Sequence, residues 1–295
     1  MPRKFLPIVP DATLIALMGD RIPAHMELAV NFSPQAAELL RSGQIDFDLF
    51  KTPNWHDMVA EAMNFHPVYV HFDLNVGLGK IPGIDWGEVE DFMNKTGTEM
   101  VNVHVVSPES LNACNEVEVE SFLDTVIDEV RMVCHRFGED HVIAENIPLP
   151  ISGKPYLRPV AMPRFFQRLV TETGCGMLLD LAHASITALT LQTEPIAFFS
   201  EFPIRRLREI HVTGLGIHKG EIHDHMELRD HDWCLFESAI KQIRAGCWRT
   251  PEIIAFEYGG TGAPFVWRSE SRVLLEQVPR LYALIHNGNG KHTPG

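Results

Sequence analysis

Six apolar runs of this chain each end in a residue type that can bind a metal ion. The runs are PVYVHF, EMVNVH, HVIAEN, MLLDLAH, REIHV and IIAFE, and they supply His71, His104, Glu145, Asp180 with His183, His211 and Glu257. The ligand-type residues recur every 31 to 46 positions. Parallel strands bring their carboxyl ends to one edge of a sheet, so we expect these side chains to share one centre.

The same runs predict the fold. Strands are predicted at about 26–31, 46–51, 67–72, 99–105, 142–146, 176–181, 207–212 and 252–257. Amphipathic segments at helical period lie at 34–42, 54–64, 116–137, 162–173, 193–201, 232–245 and 269–286. Apolar strands that alternate with helices indicate a parallel sheet buried on both faces. We predict an α/β fold, a single (β/α)8 TIM barrel, with a doubly wound open sheet as the alternative.

Composition limits the domain organisation and the partners. One domain is predicted over residues 1–295, with a frayed Gly/Asn-rich tail from about 287. The net charge of −14 argues against a nucleic-acid partner, which requires clustered Lys and Arg. The five cysteines contain no CxxC pair, and no apolar stretch approaches a membrane span. We expect a cytoplasmic protein with no membrane partner.

Carboxylates dominate the predicted centre. The loop after the fifth run contributes His223, Asp224 and His225, and which of these three bind a metal is left open. Four candidate carboxylates would then converge, at Glu145, Asp180, Asp224 and Glu257. Nearby cations are needed to keep such a group ionised, and two or three divalent ions would balance its charge. Mixed His and carboxylate ligands suit Fe, Zn or Mn.

The ordered ligand set resembles the xylose-isomerase-like TIM barrel superfamily. Four segments are most similar to its multinuclear non-haem iron-dependent oxidative enzymes and their uncharacterised relatives. They are Glu145-Asn146, Leu179-Asp180-Leu-Ala-His183, Ile210-His211-Val-Thr-Gly214 and Phe256-Glu257-Tyr-Gly-Gly260. The resemblance covers roughly residues 67–260. Two departures are the contiguous His223-Asp224-His225, where the superfamily has Asp-x-His, and His183, where oxidative members often have Asn.

The resemblance implies a di- or trinuclear centre at the carboxyl-terminal barrel face, with Fe favoured over Zn or Mn. The implied ligands are His71, His104, Glu145, Asp180, His183, His211, Asp224, His225 and Glu257. The implied reaction is oxidative modification, with O2, of a peptide or small thiol- or amino-acid-type substrate. A separate substrate-presenting protein is a further implied partner.

Two other enzyme classes in the superfamily would use the same ligands. In a sugar isomerase or epimerase, or in an endonuclease IV-like phosphodiesterase, Glu145, Glu257 or Lys51 would move protons beside the metals. Lys51 is otherwise a surface lysine. The negative net charge disfavours the nuclease. A non-enzymatic metal-binding protein is a third class, and it would lack open coordination positions.

Overall fold

A parallel sheet forms the centre of the computed structural model, which describes residues 26–151, 153–218, 221–260 and 269–286. Its nine strands are β1 Glu27–Asn31, β2 Leu49–Pro53, β3 Val68–His71, β4 Asn75–Val76, β5 Val101–Val105, β6 Val142–Glu145, β7 Gly176–Asp180, β8 Leu207–Val212 and β11 Ile253–Phe256. A separate antiparallel hairpin consists of β9 Gly214–His218 and β10 Glu221–Met226.

The sheet curls into a barrel. The strand order is β3-β2-β1-β11-β8-β7-β6-β5-β4, and three residues connect the two end strands, β3 and β4. Strands β3 and β4 are not paired with each other, and the side-chain amide of Asn102 makes the hydrogen bonds at this junction. Its Oδ1 accepts from Phe72 N at 2.6 Å, and its Nδ2 donates to Phe72 O at 2.8 Å. The predicted TIM barrel is thereby confirmed.

Helices follow most strands and cover the outer face of the sheet. They are α1 Pro34–Arg41, α2 His56–Ala62, α3 Trp86–Thr96, α4 Glu116–Phe137, α5 Arg158–Ala161, α6 Pro163–Thr173, α7 Leu181–Leu191, α8 Pro195–Ser200, α9 Asp230–Arg244 and α10 Ser271–His286. Short 3-10 turns lie at Ile81–Gly83, Glu139–His141, Pro155–Leu157 and Ile204–Arg206. Among the described residues, no helix is long and apolar enough to cross a membrane.

A few of the predicted helices and strands differ from those in the structure. Strand β2 lies at 49–53 and not at 46–51, because the Asp48 side chain accepts from Leu28 N and ends the connection before the strand. Helices α3 and α7 and the β9–β10 hairpin were not predicted. The tail from residue 287, predicted to be frayed, lies outside the described residues.

Two apolar layers support the strand ends. The larger lies between sheet and helices and includes Val101 and Val103, both fully buried. The smaller fills the barrel interior, with Ala29, Tyr69, Met100, Ile143, Leu178, Ile253 and Ala255. Since these side chains come from different strands, they fix the positions of the strand ends above them.

Truncation of this interior layer should destabilise the fold. Leu178→Ala removes a fully buried side chain, so we expect the free energy of unfolding in urea to fall by about 2–5 kcal/mol. The matched control is Leu189→Ala on α7, where the leucine is 56% exposed and the change should stay within about 0.5 kcal/mol. Equal losses for the two variants would contradict the assigned interior packing.

Candidate metal centre

The predicted ligands lie at the carboxyl end of the barrel. His71, Glu145 and Asp180 end β3, β6 and β7, and Glu257 directly follows β11. His104 is level with Glu145 on the neighbouring strand, and Asp180 is level with His211. Strand register therefore brings together residues that are far apart in sequence.

Two histidines and one carboxylate form the first group, which we call the histidine-rich group: His71, His104 and Glu145. The Nε2 atoms of His71 and His104 are 3.0 Å apart, and Glu145 Oε2 is 2.9 Å from the latter and 3.4 Å from the former. Neighbouring ligands of an octahedral ion are also about 3.0 Å apart when its bonds are about 2.1 Å long. The three donors thus have the spacing of one face of an octahedron.

Glu145 also belongs to a second group, the carboxylate-rich group, with Asp180, His211 and Glu257. His211 Nδ1 lies 3.4 Å from Glu257 Oε2, 3.6 Å from Glu145 Oε1 and 3.9 Å from Asp180 Oδ2. The two Glu145 oxygens therefore face different groups, as in a carboxylate that bridges two ions. Glu145, Asp180 and His211 also meet as candidate ligands within 4.8 Å of one another.

The two carboxylate oxygens of Asp180 make different contacts. Its Oδ1 accepts from His183 N at 2.8 Å and so caps the amino end of α7, while its Oδ2 faces His211. The Asp-x-x-His spacing follows from this cap, because the third residue of the helix donates its backbone N–H to the capping side chain.

The third group, the hairpin group, contains His183, Asp224 and His225. His183 Nδ1 lies 2.8 Å from Asn146 O and donates to it, and Nε2 faces Asp224 Oδ2 at 3.2 Å, a hydrogen bond in which Nε2 is the donor when it carries a proton. Asp224 Oδ1 is 3.9 Å from His225 Nε2. Asp224 and His225 thus face the centre from the hairpin, whereas His223 is paired with Gly216 across it.

Lys51 lies inside the centre and not on the surface, since it is 5% exposed. Its Nζ forms an ion pair with Glu257 Oε1 and lies 3.0 Å from His211 Nε2. The ammonium therefore neutralises one carboxylate. Its predicted role in proton transfer or substrate binding stays a prediction.

The sequence analysis did not identify two polar residues that lie beneath the ligands. Glu209 is 2% exposed and lies 2.8 Å from His211 Nε2, and Tyr69 donates to the same Glu209 oxygen at 2.9 Å. Each precedes a predicted ligand by two positions, Glu209 before His211 and Tyr69 before His71. Strand alternation, which places such residues on one face, was the signal that could have identified them.

Burial and crowding shift the acid–base equilibria of the ligands. Burial, with the charges of Glu257 and Glu145, raises the pKa of Asp180 to about 6, although His183 opposes this. Burial lowers the pKa of His71 to about 3, assisted by the Lys51 ammonium, so this imidazole is neutral and able to bind a metal. Burial also lowers the pKa of His211, but Glu257 and other carboxylates bring it to about 10. The carboxylate-rich group thus attracts positive charge.

Unsatisfied polar atoms support a metal at this position. His211 Nδ1 and Glu145 Oε2 are buried and make no hydrogen bond with any residue that the structure describes, although both face other ligand atoms. A buried polar atom without a partner costs about 1–3 kcal/mol. A divalent ion would satisfy both atoms and offset the carboxylate charge, so the residues present fit a metal centre.

A cavity of about 240 Å³ adjoins this centre. Its polar wall includes Lys51, His71, His225 and Glu257, and its apolar wall is lined by Phe32, Pro53, Trp55 and Met58. A small molecule or a single large side chain fits a space of this size, with one end at the ligands.

The sequence model of the family described as "RiPP precursor modification enzyme MbnB/TglH/ChrH" matches residues 52–248. Two relatives are UPF0276 proteins. The one from Rhizorhabdus wittichii is 23% identical over 77% of this chain and 83% of its own length, and the one from Acaryochloris marina is 25% identical over 42% and 45%. The resemblance drawn from the sequence motifs is confirmed.

Solved structures share the fold. A D-psicose 3-epimerase with D-fructose superposes with a TM-score of 0.56 at 10% identity, over 89% of this chain and 100% of its own. A xylose isomerase-like TIM barrel protein from Mycobacterium smegmatis in complex with magnesium gives 0.53 at 11%, over 89% and 97%. At these identities the likeness concerns the barrel alone.

Metal content provides the first test of the centre. We expect about two or three transition-metal ions per chain after anaerobic reconstitution and desalting, measured by inductively coupled plasma mass spectrometry. Glu145→Ala should lose more than one ion because Glu145 faces two groups, whereas Glu257→Ala should lose about one. His135→Ala, on the exposed side of α4, is the control. A wild-type value below one would contradict a polynuclear centre.

Asp180 separates metal binding from folding. Asp180→Asn keeps a good helix cap but removes a charge, so we expect lower metal content with the fold retained. Circular dichroism melting of the metal-free variant is the check. If Asp180→Asn is unfolded, the carboxylate serves stability and not metal binding.

Proposed function

We propose that this chain, which belongs to the MbnB/TglH/ChrH family of RiPP precursor modification enzymes, oxidatively modifies a peptide substrate with iron and O2. The family and fold indicate a metal-dependent enzyme. The oxidative chemistry, the metal and the substrate are the parts that we propose.

The histidine-rich group carries the proposal. Two imidazoles and one carboxylate on one face of an octahedron are the ligand set of non-haem Fe(II) oxygenases, which leaves other positions open. Here those donors are His71, His104 and Glu145, separated by 2.9 to 3.4 Å. Iron bound there would supply redox chemistry with O2.

The chain's own residues supply the surroundings of the reaction. Lys51 neutralises Glu257 at the edge of the cavity, which lowers the repulsion that an anionic substrate group meets there. The apolar wall at Phe32, Trp55 and Met58 can hold a side chain next to the reacting group and exclude water from it. These features suit a thiol- or amino-acid-type substrate within a peptide. A presenting protein stays a prediction from the family resemblance.

Oxygen consumption tests the proposed function. Protein loaded with Fe(II) should consume O2 with a cysteine-containing peptide, measured with an oxygen electrode and by mass spectrometry of the peptide. The same peptide with Ser in place of Cys, and protein loaded with Zn(II), should give neither signal. His104→Ala should lower the rate by about 100-fold or more through loss of a ligand.

A sugar isomerase or epimerase is the second candidate. The carboxylate-rich group has one imidazole and three carboxylates, which suits Mn²⁺ or Mg²⁺. Conversion of a ketose by the Mn(II)-loaded protein without O2 would favour this candidate over the first. Cleavage of abasic-site DNA without O2 would contradict both and support a phosphodiesterase.

A further inference from the structure

We infer that Glu209 is a positioning residue that orients His211 toward the metal, and that Tyr69 holds Glu209 in place. Neither residue is a predicted ligand. The inference rests on metal binding by the carboxylate-rich group, which belongs to the proposed function.

The geometry places Glu209 directly behind His211. Both are in β8, two positions apart, and both side chains face the barrel interior. Glu209 Oε1 is 2.8 Å from His211 Nε2. His211 is fully buried and Glu209 is 2% exposed, so this contact is shielded from water.

The contact determines which ring nitrogen faces the metal. A carboxylate accepts hydrogen bonds but does not donate them, so His211 Nε2 must carry the proton. Once a metal ion displaces the proton of Nδ1, the lone pair is on Nδ1, the atom that faces Glu257, Glu145 and Asp180. Lys51 Nζ also lies 3.0 Å from Nε2, but it donates to Glu257 and cannot accept the Nε2 proton, so Glu209 is the partner that selects this tautomer. A carboxylate behind a ligand histidine fixes the ring and makes it a stronger ligand.

Tyr69 fixes the carboxylate in turn. Its hydroxyl donates to Glu209 Oε1 at 2.9 Å and is itself buried in the barrel interior. That oxygen therefore accepts from both Tyr69 and His211. Glu209 also lies within 4.8 Å of donor atoms of His71 and His211, but its position behind Nε2, and not beside Nδ1, favours orientation over direct ligation.

Metal titration of four variants tests the inference. Fe(II) or Co(II) is titrated anaerobically into wild type, Glu209→Ala, Glu209→Gln and Tyr69→Phe. We expect the dissociation constant of the weakened site to rise by about 10–100-fold for Glu209→Ala. Glu209→Gln should rescue part of this loss, because its amide oxygen can still accept from Nε2–H. Tyr69→Phe should have the smallest effect, and all should keep the wild-type stoichiometry at saturating metal.

A spectroscopic readout separates positioning from general destabilisation. In the Co(II)-loaded protein, the exchangeable imidazole N–H proton of a bound histidine gives a paramagnetically shifted NMR signal. The His211 signal is assigned by its absence in His211→Ala. We expect it to exchange faster with D2O in Glu209→Gln than in wild type, because a neutral acceptor holds the proton less strongly.

Two control variants match the substitutions in residue type, one at a buried and one at a partly buried position. Glu129→Gln alters another buried carboxylate, which accepts from the backbone of Gly77 and Ile81. Tyr282→Phe alters a tyrosine on α10. Both should leave the metal affinity and the His211 signal unchanged, even where they lower the melting temperature.

The outcomes distinguish this inference from the proposed metal centre. If His211→Ala binds metal as wild type does, the carboxylate-rich group is not a metal site and the proposed centre fails. If His211→Ala lowers metal content but the Glu209 variants match wild type, only the positioning role is overturned. Loss of one whole ion in Glu209→Gln at saturating metal would also overturn it, since Glu209 would then be a ligand.

Discussion

The shared carboxylate of Glu145 is the constraint on which the candidate centre depends. Its two oxygens face different ligand groups, and its neighbours Asp180 and Glu257 add negative charge within the same buried space. Only one side-chain ammonium, that of Lys51, is seen to contact these carboxylates among the described residues. Burial of three neighbouring carboxylates is unfavourable unless cations share the site, and the raised pKa of His211 is one consequence of this. The barrel brings these carboxylates together, and cation binding at the candidate centre offsets the cost of burying them.

The sequence predicted every strand of the sheet except β4 from apolar runs, six of which end in a residue type that can bind a metal. The same signal predicted where the ligands lie, since parallel strands share one edge. It did not predict α7, which starts at Leu181 with no intervening turn because Asp180 both ends β7 and caps the helix. It did not predict α3 either, a helix of which only Val89 and Phe92 are buried.

Residues behind the ligands were harder to predict than the ligands. Glu209 and Tyr69 lie within strands and have no motif of their own. Strand alternation places them on the same face as the ligands, but their contact with His211 is seen only in the structure. The burial of Lys51 was not predicted either, since a lysine at a strand end is more often at the surface. Its burial follows from β2 at 49–53, which places Lys51 inside the strand and level with Tyr69 on β3.

The three ligand groups differ in what supports them. The histidine-rich and carboxylate-rich groups are attached to paired strands whose interior side chains are buried in one cluster. Asp224 and His225 are instead attached to a hairpin whose register is irregular between His223 and Met226. His225 has a positive φ of 57°, a conformation that costs a non-glycine residue about 1–3 kcal/mol. Its carbonyl accepts from Gly259 N, which connects the hairpin to the segment after β11. A side chain at Gly214 would collide with Glu227 O, so the two hairpin strands lie close together at their base. Two groups are thus preorganised by the barrel, whereas the third depends on one strained loop that must hold its position against the barrel mouth.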